Sequence, residues 1–263
     1  MGRRLYKRKQ RKRNKSSLID SFKRTASLIG KDNLDFLKNS HVAIFGIGGV
    51  GGFVLEALVR SGVGHITVID NDVVQESNLN RQIIADCQSI GMKKTIVAEK
   101  RVKAINPDLE FFSYETFVLP ENISEIDFTS FDYVIDAVDT VSAKLCIIKR
   151  AAELNKPVIS CMGTGGKLDP LKIEITDISK TSVCPLARVM RRELKKFGID
   201  KLKVVYSKEE SKKALDEESA EKRASGRVAP PSMIFVPATA GIVIAAETVK
   251  DLLATPDKAT NQR

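Results

Sequence analysis

The stretch Val42-Ala43-Ile44-Phe45-Gly46-Ile47-Gly48-Gly49-Val50-Gly51 decides the fold. A short apolar run ends in a glycine cluster, and an apolar stretch with helical spacing (Val54, Leu55, Leu58, Val59) follows at once. Glycine is needed where the backbone turns sharply, or must approach a ligand with no Cβ in the way. A strand that feeds such a turn into a helix aims unpaired N–H groups at one spot, which suits a phosphate. Nineteen residues beyond Gly51 a second apolar run, His65-Ile66-Thr67-Val68-Ile69, ends in Asp70, where a carboxylate can hold ribose hydroxyls. Strand, glycine turn, helix, strand and acid together read as a nucleotide site.

The segment after Asp70 narrows the nucleotide. Asp70 to Gln82 packs Asn78, Arg81 and Gln82 into one short loop, which a nicotinamide dinucleotide does not need after its ribose-binding acid. Lys94 opens a helix-like stretch from Met92 to Ile105, and Asp136-Ala137-Val138-Asp139 closes a later strand, Tyr133-Val134-Ile135. Arginine plus lysine suits a triphosphate, because both donate to phosphate oxygens and neutralise charge on a departing pyrophosphate. A second acid at a strand end is a natural seat for Mg²⁺. Taken singly, Asp70 reads as a turn acid, Lys94 as a solvated helix residue and Asn78 as a loop amide bonded to its own backbone. Their joint placement favours the nucleotide. Asp136 reads as a metal ligand or as a turn cap or support, with the cap or support preferred.

This constellation resembles the ubiquitin-activating enzyme superfamily, whose pattern is a Gly-x-Gly-Gly-x-Gly turn, an Asp, an Asn-x-x-Arg-Gln loop, a Lys and an Asp. Those positions are Gly46, Gly48, Gly49, Gly51, Asp70, Asn78, Arg81, Gln82, Lys94 and Asp139. Within the superfamily the chain is similar to the tRNA threonylcarbamoyladenosine dehydratase branch. Phe22 to Gly30, Gly163 to Pro170, Thr181 to Ala187 and Phe235 to Gly241 carry that likeness, which runs from about Asp20 to Leu253. The resemblance implies ATP and Mg²⁺, with Arg81 and Lys94 on phosphates, Asp139 on the metal and Asp70 on the ribose. Gly46, Gly48, Gly49 and Gly51 would cradle the nucleotide, with Asn78 and Gln82 beside it. Relatives place an arginine near Ser21 or Ser27 that reaches the ATP phosphates, and Arg24 is the nearest candidate here. The implied chemistry adenylates a carboxylate on tRNA, releases AMP and pyrophosphate, and closes a ring with loss of water. The implied assembly is a homodimer. The alternative within the superfamily is an adenylyltransferase acting on a ubiquitin-like sulfur-carrier or sulfur-transfer protein.

The expected fold is α/β: a doubly wound, Rossmann-like, mostly parallel sheet with a mixed or antiparallel C-terminal extension. Residues 20–263 read as one ATP-binding domain, with a nucleotide half over about 38–161 and a substrate and dimer half over about 162–255. A long first helix is expected from about Asp20 to Leu37, a half-exposed antiparallel strand at Lys172-Ile173-Glu174-Ile175-Thr176, and a basic helix from Met190 to Phe197. Lys203 to Tyr206 reads as a strand and Ala238 to Leu253 as a closing helix too interrupted by charge to span a membrane. No secretory signal is legible. Four cysteines, Cys87, Cys146, Cys161 and Cys184, with no Cys-x-x-Cys, exclude the usual four-thiolate zinc clip and suit a cytoplasmic protein.

The net charge is +10, yet nine of the basic residues stand between Arg3 and Lys15 with no acid among them, so the remainder is near neutral. Residues 1–19 therefore read as a disordered basic tail suited to RNA, and the Lys/Glu-rich segment 207–230 as a mobile loop. Arg188, Arg192, Lys195 and Lys196 fall near one helix face, as a tRNA phosphate contact or a merely solvated face. Cys184 reads either as a small packed residue before Pro185 or as a nucleophile activated by a helix N-terminus.

Overall fold

Burial along the first strand alternates between the two faces of one sheet. The structure, a computed structural model, describes residues 21–215 and 230–254. In β1 (His41–Phe45), Val42 and Ile44 enter a core shared with helices on one side, while Ala43 and Phe45 enter a separate core on the other. A strand buried on both faces must be apolar throughout, which is why this run does not alternate in sequence.

The chain continues through α3 (Gly51–Ser61), β2 (His65–Ile69), α4 (Lys94–Ile105), β3 (Glu110–Tyr114), β4 (Tyr133–Asp136), α5 (Val141–Glu153) and β5 (Val158–Cys161). It then adds β6 (Ile173–Asp177), α6 (Pro185–Lys195), β7 (Lys203–Ser207) and α7 (Phe235–Ala254), and two short helices, α1 (Lys23–Ile29) and α2 (Lys31–Asn39), precede β1. The seven strands lie in the order β3-β2-β1-β4-β5-β7-β6, and all neighbours are parallel except β6 against β7. The expected doubly wound sheet with an antiparallel extension is therefore present.

Strand order reverses between β1 and β4, and a crevice opens at such a point beyond the carboxyl ends of the strands. Pairing of Phe45 with Asp136 brings the glycine turn after β1 beside the turn after β4. Topology thus joins two segments ninety residues apart.

Three expected elements differ. The long first helix is two, broken at Gly30, whose φ of 87° lies in the left-handed region that other residues resist. The basic helix starts at Pro185, not Met190, and ends at Lys195. Proline at the first helical position explains the earlier start. The mobile loop expected over 207–230 is tied down through residue 212. Ser207 belongs to β7, Glu209 accepts from the Leu168 and Asp169 N–H groups (2.9 and 2.8 Å), and Lys212 N–H donates to the Gly166 carbonyl (2.7 Å). Residues 216–229 of that loop and the basic tail lie outside the described residues. Among the described residues, no helix is long and apolar enough to cross a membrane.

Candidate active site

The glycine turn is built so that nothing but glycine fits at its structural corners. Gly46 has φ of 86°, and a Cβ there would stand 3.0 Å from the Ala137 carbonyl oxygen. A Cβ on Gly51 would stand 1.8 Å from the Gly46 carbonyl oxygen, which no relaxation could absorb. Gly48 differs: a Cβ there would meet nothing within 4 Å, so its backbone faces open space. That is the cradle a phosphate needs, at the N-terminus of α3.

Four segments converge on this turn. Asp70, at the end of β2, accepts from the Ile47 N–H (2.6 Å) and the Asp72 N–H (2.8 Å). Burial raises its carboxyl above the ordinary value, opposed by the Lys94 ammonium and those two N–H donors. Arg81 lies across the turn, its Cγ 3.6 Å from where a Gly49 Cβ would be. Pro237, in the first turn of α7, sits 3.5 Å from the same point. Val138 packs 3.2 Å from the Gly46 position, and Asp139 follows it as an exposed side chain. An exposed carboxylate there fits Mg²⁺, which takes one or two protein carboxylates and keeps its waters.

Lys94 is the first residue of α4, its side chain buried and paired with Asp72 at 2.8 Å. An arriving phosphate would compete with that carboxylate. Gln82 is buried, and its Oε1 has no hydrogen-bond partner among the described residues. A buried acceptor without a donor is costly, so a ligand donor at this loop would be favourable. Asn78 is engaged locally, its Oδ1 accepting from the Gln75 N–H at 3.1 Å in a capping box.

Asp136 supports rather than reacts. It is fully buried with Lys144, whose ammonium donates to Asp136 Oδ2 (2.9 Å) and to the Cys161 carbonyl (2.6 Å). Ser160 Oγ donates to the same carboxylate at 2.5 Å. The pair thus locks the ends of β4 and β5 directly behind Asp139.

Two readings left open by the sequence turn on position. Arg24 is exposed on α1 and shares an open cavity of about 380 Å³ with Leu28, Arg60 and Ser61 at the C-terminal end of α3. The glycine turn is at the other end of that helix, about 16 Å away at 1.5 Å per residue. Arg24 therefore does not reach the phosphate cradle of its own chain, and that cavity is not the nucleotide site. Cys184 is buried, with its Sγ 3.6 Å from the Gly163 Cβ position, and is not an open nucleophile. All four cysteines are free, and among the described residues no group of three or more His, Cys, Asp or Glu side chains could hold a metal.

The basic helix α6 exposes Arg188, Arg192, Lys195 and Lys196. Glu193 pairs with both Arg192 (2.9 Å) and Lys196 (2.6 Å), so two of the four cations share one carboxylate. Arg191 turns inward and donates to the Ile178 and Thr181 carbonyls (3.1 and 2.8 Å). The sequence assigns no individual role to Asp72, Asn80, Glu209 or Pro237, although Asn80 lies in the amide-rich loop and Pro237 in the stretch that carries the resemblance. Only the second acid two places after Asp70 offered a signal, for Asp72.

Residues 22–263 match the ThiF family. A tRNA threonylcarbamoyladenosine dehydratase of Bacillus subtilis is 38% identical over 244 residues, covering 90% of this chain and 96% of that protein. The crystal structure of an Escherichia coli tRNA N6-threonylcarbamoyladenosine dehydratase, TcdA, in complex with ATP superposes with a TM-score of 0.81 at 33% identity, covering 93% of this chain and 97% of that one. A sulfur carrier protein adenylyltransferase of Thermus thermophilus is 35% identical, but over 50% of this chain and 48% of that protein. A family match over residues 22–263 and a named relative matched over nearly its whole length show that this chain belongs to the ThiF family, in its tRNA threonylcarbamoyladenosine dehydratase branch.

Proposed function

We propose that the chain dehydrates N6-threonylcarbamoyladenosine at position 37 of tRNA, using ATP. The observation that carries this reading is the convergence of the Gly48 cradle, Arg81 and Asp139 at one switch point, in a chain whose full-length relatives carry that name. The threonyl carboxylate attacks the α-phosphorus of ATP, and pyrophosphate leaves. The carbamoyl group of the same modification then attacks the activated acyl carbon, AMP leaves with the carboxylate oxygen, and the ring closes. Nucleophile and electrophile share one side chain, so closure is intramolecular and no protein nucleophile is required. That agrees with the burial of Cys184.

Arg81 and Lys94 stabilise charge on the phosphates, and Asp70 orients the ribose. Asp139 would hold Mg²⁺, which supplies Lewis-acid neutralisation of the departing pyrophosphate. Residues 38–161 serve the nucleotide and 162–255 the tRNA, with Arg188, Arg192, Lys195 and Lys196 as phosphate contacts. The chain acts as a homodimer in which Arg24 serves the neighbouring subunit's nucleotide, since it lies too far from its own.

Incubating the protein with modified tRNA, ATP and Mg²⁺ should yield AMP, pyrophosphate and a nucleoside lighter by one water in mass spectrometry. ADP, or no product, would sink the proposal. AMP formation dependent on a sulfur-carrier protein instead of tRNA would support the adenylyltransferase reading.

A further inference from the structure

We propose that Asn80 is a positioning residue that holds the guanidinium of Arg81, whose side-chain stem lies against the glycine turn, and straps the lead-in of α7 to the same loop. Resting on the assignment of Arg81 to the ATP phosphates, the inference concerns how that arginine is held. Asn80 Oδ1 accepts from Arg81 Nη1 at 2.9 Å, while its Nδ2 donates to the Ser232 carbonyl at 3.0 Å, across 152 residues of sequence. The same Nη1 donates to the Ser77 carbonyl at 2.6 Å. Among the described residues no hydrogen bond engages Nε or Nη2 of Arg81, so one edge of the fork is fixed and the rest is left for an anion.

The strap matters because of what it joins. Arg81 and Pro237 are the side chains nearest the Gly49 Cβ position, at 3.6 and 3.5 Å, and they come from segments linked by the Asn80–Ser232 bond. An unrestrained arginine has large rotamer freedom, and fixing it in advance removes that cost from the transition state. Asn80 itself is exposed and contributes nothing to the core, so its two bonds are its whole role.

The test is a double-mutant cycle on the full chain, with AMP formation from ATP and modified tRNA as the readout. Asn80→Ala should lower kcat about tenfold, at the mild end of what misplacing a positioned group costs, with KM for ATP within about twofold. Its melting temperature should match the wild type. Arg81→Ala should be slower still, and the double variant should be no slower than Arg81→Ala alone. An unchanged kcat in Asn80→Ala beside an impaired Arg81→Ala overturns the positioning role and leaves the phosphate assignment standing. An additive loss in the double variant also overturns it, because the asparagine would then act independently. A wild-type rate in Arg81→Ala overturns the phosphate assignment, and the proposal with it.

Discussion

The carboxyl edge of the sheet and helix α6 carry the same kinds of charge and use them differently. At the edge, Lys94 is buried against Asp72, and Lys144 is sealed with Asp136 behind the Asp139 turn. On α6 the cations stand in water, and two of the four share Glu193. Desolvated, hydrogen-bonded charges have fixed directions and act strongly on one another. Solvated ones are screened and replaceable. Chemistry belongs at the first region, while the second can at most add nonspecific attraction for a polyanion.

The largest effect should come from breaking the sealed pair. Lys144→Met leaves an uncompensated buried carboxylate, and urea unfolding should show a loss of about 3–5 kcal/mol. Asp139→Asn, three residues from the same pair, should leave the melting temperature unchanged yet alter the Mg²⁺ dependence of AMP formation. Equal destabilisation by both would erase the distinction between support and site.

Next in size is the rate. Arg81→Ala and Lys94→Ala should each lower kcat for AMP formation about 10²–10³-fold, the range seen when a preorganised donor is removed. Arg192→Ala and Lys196→Ala should stay within about twofold at saturating tRNA, because both are solvated side chains that share Glu193. If α6 variants slowed turnover as much as the edge variants, the contrast between the two regions would fail.

A smaller effect concerns Arg188 and Lys195, which make no ion pair among the described residues. The Arg188→Ala/Lys195→Ala variant should weaken tRNA binding several-fold and reduce the salt slope by about one per lost phosphate contact. An unchanged slope would make this face merely solvated.

The smallest is a pH effect at the latch between residues 168–169 and 209. The Asp169 N–H, and then that of Leu168, hold the Glu209 carboxyl below its ordinary value. A depressed carboxylate stabilises the fold above its unfolded value, near 4.3, and loses that stabilisation as pH falls through the folded value. The melting-temperature advantage of wild type over Glu209→Gln should therefore be full at neutral pH and vanish in acid. A difference that persists in acid would show that Glu209 acts by packing instead.

Much of this molecule was legible in one dimension. The run Val42–Gly51 determined a strand, a glycine turn and a helix, because local sterics leave few residues that can occupy Gly46 or Gly51. The order of strands and helices determined a parallel sheet, and the Asn78–Gln82 loop with Lys94 pointed to a triphosphate. Tertiary structure alone decided how the like-looking residues differ. Asp136 and Asp139 are both acids at the end of one strand, yet Asp136 is sealed with a buried lysine and a serine brought in by α5 and β5, while Asp139 is exposed. The resemblance leaves open which nucleotide Arg24 would serve, and in space it stands at the far end of α3 from the glycine turn of its own chain. Asn80 is unremarkable in sequence, because its partner, Ser232, is 152 residues away. Such roles depend on burial and on long-range partners, and those exist only once the sheet has closed its order.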